Sequence, residues 1–230
     1  PLKLQVRQLH NVFSHIPSGR RTRPRVLITF DDGYRNNYTV AFPVLEHFGF
    51  PAIIFLATGF IGSRDLYWFD RVISAVQCSG CTSIDLRAVG LMEYHFPPEK
   101  GSRRWDAVQV MLTGLKTLDP KSRDEAVDRV LKTCGGDSLM TEHLAVLESN
   151  EIRKMDRSGL VEFGAHTHGH EILTRLPKDE ARKTIKTSLE IIQGITGKAV
   201  ICFAYPNGDY NGEVMQMLKD MGVIYAFSTG

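Results

Sequence analysis

The heptapeptide GAHTHGH, Gly164–His170, sets three imidazoles within five residues, a density that points to metal binding. On an extended strand His166, His168 and His170 would share one face; in a curled segment only the i, i+4 pair would converge. Gly169 bends the chain between the second and third histidine, which favours the pair His166 and His170. TFDDGY, Thr29–Tyr34, offers two adjacent carboxylates, Asp31 and Asp32, followed by a glycine that lets the backbone turn. Neighbouring side chains on an extended backbone diverge, so one carboxylate can ligate while the other stays free. Two imidazoles and one carboxylate make an open three-ligand site suited to zinc, with room for water. FAYPNGDY, Phe203–Tyr210, adds a Pro/Gly turn of the kind that can aim a backbone N–H at a developing oxyanion.

Each of these segments follows a short run of β-branched and aromatic residues. RVLITF (25–30), AIIFLAT (52–58), VEFGAHT (161–167), AVICFAYP (199–206) and VIYAFST (223–229) are apolar nearly throughout, as strands covered on both faces are. Between them lie helical patterns: NNYTVAFPVLEHFG ending at Gly49, PKDEARKTIKTSLEIIQG beginning at Pro177, and NGEVMQMLKDMG ending at Gly222. Strand–helix alternation predicts right-handed crossovers and a parallel sheet or barrel, with the site at the C-terminal ends of the strands. One connection is too long for a crossover. About 62–150 reads as a helical insertion containing WDAVQVMLTGLKTL and PKSRDEAVDRVLKTC, the latter opened by Asp119 as N-cap and Pro120 in the first turn, with one or two further strands that the pattern does not place.

Composition excludes several classes. The 230 residues are 43% hydrophobic and 23% charged, which is enough to build a core and too ordinary for a disordered or fibrous chain. No apolar run approaches the roughly 20 residues of a membrane-spanning helix. A net charge of +2 and one local basic run, GRRTRPR (19–25), without interleaved aromatics argue against nucleic acid as partner. No GxGxxG or phosphate-binding loop follows a strand. Four scattered cysteines do not make a disulfide scaffold, and Cys78-Ser-Gly-Cys81 stands alone at the end of a helical pattern, where the dipole disfavours a thiolate. The chain starts at Pro1 with neither an initiator methionine nor a charged-then-apolar leader, which predicts a piece of a longer protein.

Taken together and in this order, TFDDGY, HTHGH and FAYPNG resemble the first three motifs of the polysaccharide deacetylase family, the NodB-homology domain or carbohydrate esterase family 4. GFPAIIFLATGFIG and LVEFGAHTHGHEILTRL fit as well, so the resemblance spans nearly everything outside the insertion. It implies an α/β fold, a distorted (β/α)7-type barrel, forming a single domain over 1–230. It also implies a metal-dependent hydrolase that removes N-acetyl groups from the amino sugars of a polysaccharide or oligosaccharide, in a cell-envelope or extracytoplasmic setting. By motif position Asp31 is the general base. Asp32, His166 and His170 are the ligands of one divalent metal, zinc first, with cobalt, nickel, manganese or iron as alternatives. The backbone N–H of Asn207 is the oxyanion donor, and His168 falls on a variable position. Tyr34, Trp68, Tyr205 and Tyr210 are the rings that could stack on sugar.

The sequence departs from the family in three places. Ala204 stands where many members carry arginine, Asn207 stands where they carry tyrosine, and no late Leu-x-His, the general-acid motif, precedes Gly230. The proton donor to the leaving amine then falls to His168 or to a residue outside this sequence, or is lacking. Two alternatives follow: an amidohydrolase of a small cyclic amide or formamide on the same fold, and a catalytically silent glycan-binding domain that retains its metal.

Overall fold

The computed structural model describes residues 5–6, 25–99, 101–135 and 144–229, which fall into two compact units. The first runs up to Arg64 and resumes at Ala145; the second is Asp65–Leu144.

The first unit is built on a parallel sheet. Strands β1 (Gln5–Val6) and β2 (Arg25–Val26) pair with each other. Five others, β3 (Ile28–Phe30), β4 (Ala52–Leu56), β7 (Val161–Ala165), β8 (Cys202–Ala204) and β9 (Tyr225–Phe227), form one sheet in that order, every pairing parallel. The sheet curls into a half-barrel with helices around it, the architecture of a distorted (β/α) barrel. The strand periodicity is visible in β4, which is buried throughout. Ala52, Ile54 and Leu56 enter one core with Phe163, Ile185 and Met217, while Ile53 and Phe55 enter the other with Cys202 and Ala204. Two apolar faces are what a sheet covered on both sides requires.

The helices of this unit are α1 (Phe42–Phe48), α5 (Ser149–Arg157), α6 (Lys178–Thr196) and α7 (Gly212–Asp220). Helix α1 stops at Gly49, whose φ of 63° supplies the left-handed cap. It is preceded by a π-turn, Asn37–Ala41, which the apolar periodicity does not reveal. The strands are shorter than their apolar runs. RVLITF divides into β2 and β3, and AVICFAYP contributes only three ladder residues, because the flanking residues turn into the loops that carry the chemistry.

The second unit packs α2 (Trp68–Cys78), α3 (Ser102–Lys116) and α4 (Pro120–Cys134) with an antiparallel pair, β5 (Ser83–Asp85) and β6 (Glu93–His95), around its own core of Val72, Ile84, Tyr94, Met111, Leu115 and Val130. These are the strands the sequence left unplaced. Asp119 caps α4 by accepting from the N–H groups of Lys121 and Ser122 at 3.0 and 3.1 Å. Arg104, almost wholly buried, donates to the carbonyls of Val76, Ser79, Cys81 and Pro97, so one guanidinium closes the C-terminal end of α2.

Candidate metal centre

Because β3, β4, β7 and β8 run parallel and in register, their C-terminal ends fall along one edge, and each motif begins where its strand stops. After Phe30 the chain turns at once. The N–H of Gly33 donates to Asp31 O at 2.9 Å, and Asp32 and Gly33 both adopt φ of 70°. The turn is anchored from the far side of the insertion, where Leu147 N donates to Gly33 O, Arg35 N donates to Ala145 O, and Tyr34 bridges Val146. Consecutive left-handed residues swing the Asp32 side chain away from the direction taken by Asp31.

At the end of β7 the ladder extends one residue further, with His166 N donating to Leu56 O at 2.9 Å. The ring of His166 is buried, and its Nδ1 lies 2.7 Å from Ala204 O. A carbonyl only accepts, so Nδ1 carries the proton and Nε2 keeps its lone pair. That Nε2 is 3.5 Å from Asp32 Oδ1, and His170 Nε2 is 3.2 Å from the same oxygen. The two imidazoles meet edge to face, with centroids 4.8 Å apart. Among the described residues Asp32, His166 and His170 form the group able to hold a metal ion, with ligand atoms all within 4.8 Å of one another. The donor set fits a small divalent cation. Bonds of about 2.0–2.1 Å at tetrahedral angles set donor atoms roughly 3.3 Å apart, which lies between the two carboxylate–imidazole distances seen.

Electrostatics agree with that use. Burial first, and then the neighbouring His170, push His166 down to about 4, so its imidazole is neutral and able to donate electrons near neutral pH. For Asp32, burial works upward, but the His170 hydrogen bond and the charges of both imidazoles outweigh it and hold the carboxyl below its ordinary value. Asp31 goes the other way, raised by removal from water and by the Asp32 charge, with His170 partly opposing. Two adjacent carboxylates are thus driven apart in proton affinity, as separate ligand and base roles require.

His168 stands apart from the trio. Its Nδ1 meets Thr58 Oγ1 at 3.0 Å, its carbonyl accepts from Gly59 N at 2.7 Å, and its N–H donates to Thr184 Oγ1 at 3.0 Å. A side chain at Gly59 would press on that carbonyl at 2.9 Å, so the position needs glycine. Glu171 ties the loop together by accepting from Gly169 N and Thr184 Oγ1, both at 2.8 Å, while its own N–H donates to Thr167 Oγ1. Thr58, Glu171 and Thr184 are positioning residues that the motif reading missed. A carboxylate directly after the second ligand-spaced histidine was the available signal.

Backbone strain collects at the same edge. Among the described residues four non-glycines have positive φ: Asp32, Thr167, His170 and Asn207. Thr167, β-branched and buried, is the costliest, and such strain of about 1–3 kcal/mol per residue persists only where surroundings enforce it. Asn207 sits in the turn Pro206–Gly208 with its Nδ2 donating to Asp209 Oδ2 at 2.9 Å. Of the four candidate rings, Tyr34 lines a cleft with Asp31, Phe30, Asn36, Asn37 and Val40. Tyr205 is buried against Phe203 and stacks on the exposed Tyr210 with centroids 5.2 Å apart. Trp68 belongs to the second unit, where its ring lies under the Arg123 guanidinium and against Phe69.

Comparison with known proteins gives the class. The chain belongs to the polysaccharide deacetylase family, whose model matches residues 18–100 and 122–226. A 39-residue stretch is 54% identical to YxkH of Bacillus subtilis (strain 168), a protein whose name places it among polysaccharide deacetylases; the match is 17% of this chain and 14% of that one. Among solved structures, the Streptococcus pyogenes deacetylase PplD in complex with acetate superposes over 99% of this chain and 66% of its own, at 15% identity and a TM-score of 0.57. IcaB from Ammonifex degensii does so over 99% and 70%, at 16% identity and 0.58. These likenesses establish the fold. The chain spans about two thirds of the length of each.

Proposed function

We propose that this chain is a metal-dependent N-deacetylase acting on the amino sugars of a polysaccharide. The observation that carries the reading is one carboxylate and two imidazoles on a common centre, with a second carboxylate of raised proton affinity beside them. Asp32, His166 and His170 would hold the ion, zinc by the character of the donors. When bound, it supplies Lewis acidity and a water of lowered pKa.

The rest falls to the chain itself. Ala204 O fixes the His166 ring so that Nε2 faces Asp32. Asp31 accepts the proton of the water that attacks the acetamide carbonyl; as the C–N bond breaks, that proton passes to the departing nitrogen, giving acetate and the free amine. The turn at Asn207 presents a backbone N–H for the oxyanion, and its left-handed conformation is the strained feature consistent with that role. Tyr34 in the cleft beside Asp31, and Tyr210 backed by Tyr205, are the rings offered to sugar.

Acetate release from N-acetylglucosamine oligomers by metal-loaded protein tests this. Asp31→Asn should lower the rate by about 10³-fold while leaving the bound metal in place. Release that is undiminished in Asp31→Asn would sink the assignment of the base. Oligosaccharide binding without turnover in the unmodified chain would instead select a catalytically silent glycan-binding domain, and turnover of cyclic amides alone would move the substrate class.

A further inference from the structure

The cleft beside Asp31 carries polar groups to which the chemistry above gives no task. It holds about 420 Å³, within the roughly 300–1,000 Å³ of ligand clefts, and Phe30, Tyr34, Val40 and Ala41 give it apolar walls. Besides Asp31, its polar lining is two consecutive carboxamides, Asn36 and Asn37. They sit where the π-turn Asn37–Ala41 begins, and such turns occur often at functional sites. Asn37 N donates to Tyr34 O at 2.9 Å, which fixes the carboxamides relative to the ring. An asparagine just ahead of a helix ordinarily accepts from a backbone N–H. Asn36 does not: its side chain makes no capping hydrogen bond, and its Oδ1 accepts from Asn37 Nδ2 at 3.2 Å instead. Asn36 is exposed, whereas Asn37 is only 7% exposed and its Oδ1 is buried with no hydrogen-bond partner. A buried acceptor without a donor lowers stability, and an apolar side chain of similar shape would avoid the loss. Among the described residues, the hydrogen bond that the Asn37 side chain does make is the one that orients Asn36. It engages Asn36 through Oδ1, so the Nδ2 on the other branch of that amide keeps its hydrogens for a ligand.

We infer that Asn36 is a specificity-determining residue, positioned by Asn37, whose Nδ2 donates to an oxygen of the sugar next in the chain to the one that is deacetylated. The inference rests on the deacetylase reading above and makes that enzyme one for chains rather than for single sugars. Asp31 sets the direction. It adjoins Asp32, which faces His166 and His170, and it also lines the cleft, so a glycan whose acetamide lies at the trio continues past Asp31 between Tyr34 and the two carboxamides. A sugar presents C–H faces and oxygen edges together, and an aromatic ring beside an amide donor meets both.

The test compares the N-acetylglucosamine tetramer with the monomer, measuring calorimetric binding and acetate release by the metal-loaded full chain. The parent should favour the tetramer. Asn36→Ala should shrink that advantage about 5-fold, the effect of one lost neutral hydrogen bond, with the loss in Kd and KM rather than in kcat. Asn37→Leu should shrink it by as much while melting no lower than the parent, because the stranded acceptor is gone; an asparagine kept only for structure would lower the melting temperature instead. The same tetramer advantage in the parent and in Asn36→Ala would overturn the inference, whether or not acetate is released. A full advantage in Asn37→Leu would overturn the positioning role. Tetramer binding that depends on Asn36 but yields no acetate would uphold the inference while sinking the deacetylase reading. Acetate release by a parent that treats tetramer and monomer alike would do the reverse.

Discussion

The C-terminal edge of the parallel sheet and the helical unit Asp65–Leu144 solve opposite problems with the same polypeptide. In the helical unit every positive φ among the described residues falls on glycine, at Gly90, Gly101 and Gly135, and the most buried charge, Arg104, spends its donors on carbonyls that α2 and its turn leave open. Local preference and tertiary structure agree there. At the sheet edge they disagree: Asp32, Thr167, His170 and Asn207 all adopt left-handed backbone, and a carboxylate faces two imidazoles at 3.2 and 3.5 Å. Strain and concentrated charge mark the region where something other than stability has been selected.

That contrast can be broken by experiment. The largest effect is expected from His170→Ala, which removes one of three donors. Metal content measured by elemental analysis should fall from one ion per chain towards none, while the metal-free protein melts within a few degrees of the parent. Retention of the ion would show that another group, His168 first, takes part. Arg104→Met should do the reverse, costing on the order of 3 kcal/mol of stability by stranding buried carbonyls, with metal content unchanged. Equal loss of metal in that variant would erase the distinction between the regions.

A third effect concerns pH. His166 is held near 4, against 6.5 when free, so the unfolded chain takes up its proton first and folding weakens as pH falls from 6.5 to about 4. The total is about 3 kcal/mol, at about 1.4 kcal/mol per pH unit. Thermal melts of metal-free protein across that window should show the slope, and His166→Asn should flatten it; the same slope in both would place its origin elsewhere. Glu171→Gln, which keeps the shape but loses the charge that gathers Gly169 and Thr184, should lower metal affinity about 10-fold in a chelator competition, the effect usual for a group supporting a ligand. Wild-type affinity would show that the loop holds its shape without that carboxylate.

Much of this was legible in the residues themselves. The apolar runs mark the strands because a strand covered on both faces is apolar at nearly every position, as in β4 and β8, whereas β3 and β9 at the two ends of the sheet expose Thr29 and Ala226; Gly49 and Asp119 mark helix ends through their own backbone and side-chain chemistry. The spacing of His166 and His170 around Gly169 favours convergence of that pair over a row of three. Other features depend on partners far along the chain. The tautomer of His166 is set by Ala204 O, thirty-eight residues on, and the loop around His168 by Thr58 and Thr184. Trp68 and Tyr210 look alike as candidate sugar rings, yet one lies beneath Arg123 in the helical unit and the other stands exposed on Tyr205.

The sequence alone therefore determined which groups are available and where the chain must turn, since those follow from side-chain type and from periodicities of two and 3.6 residues. Only the tertiary structure decided which groups meet. The parallel register laid the strand ends along one edge, where Asp32, Thr167 and His170 adopt left-handed backbone beside long-range hydrogen bonds from Leu147 N to Gly33 O and from Thr58 N to Thr167 O, a conformation that the β-branched Thr167 in particular opposes. Propensity is a local quantity, and the geometry of a site made from residues more than a hundred positions apart is not.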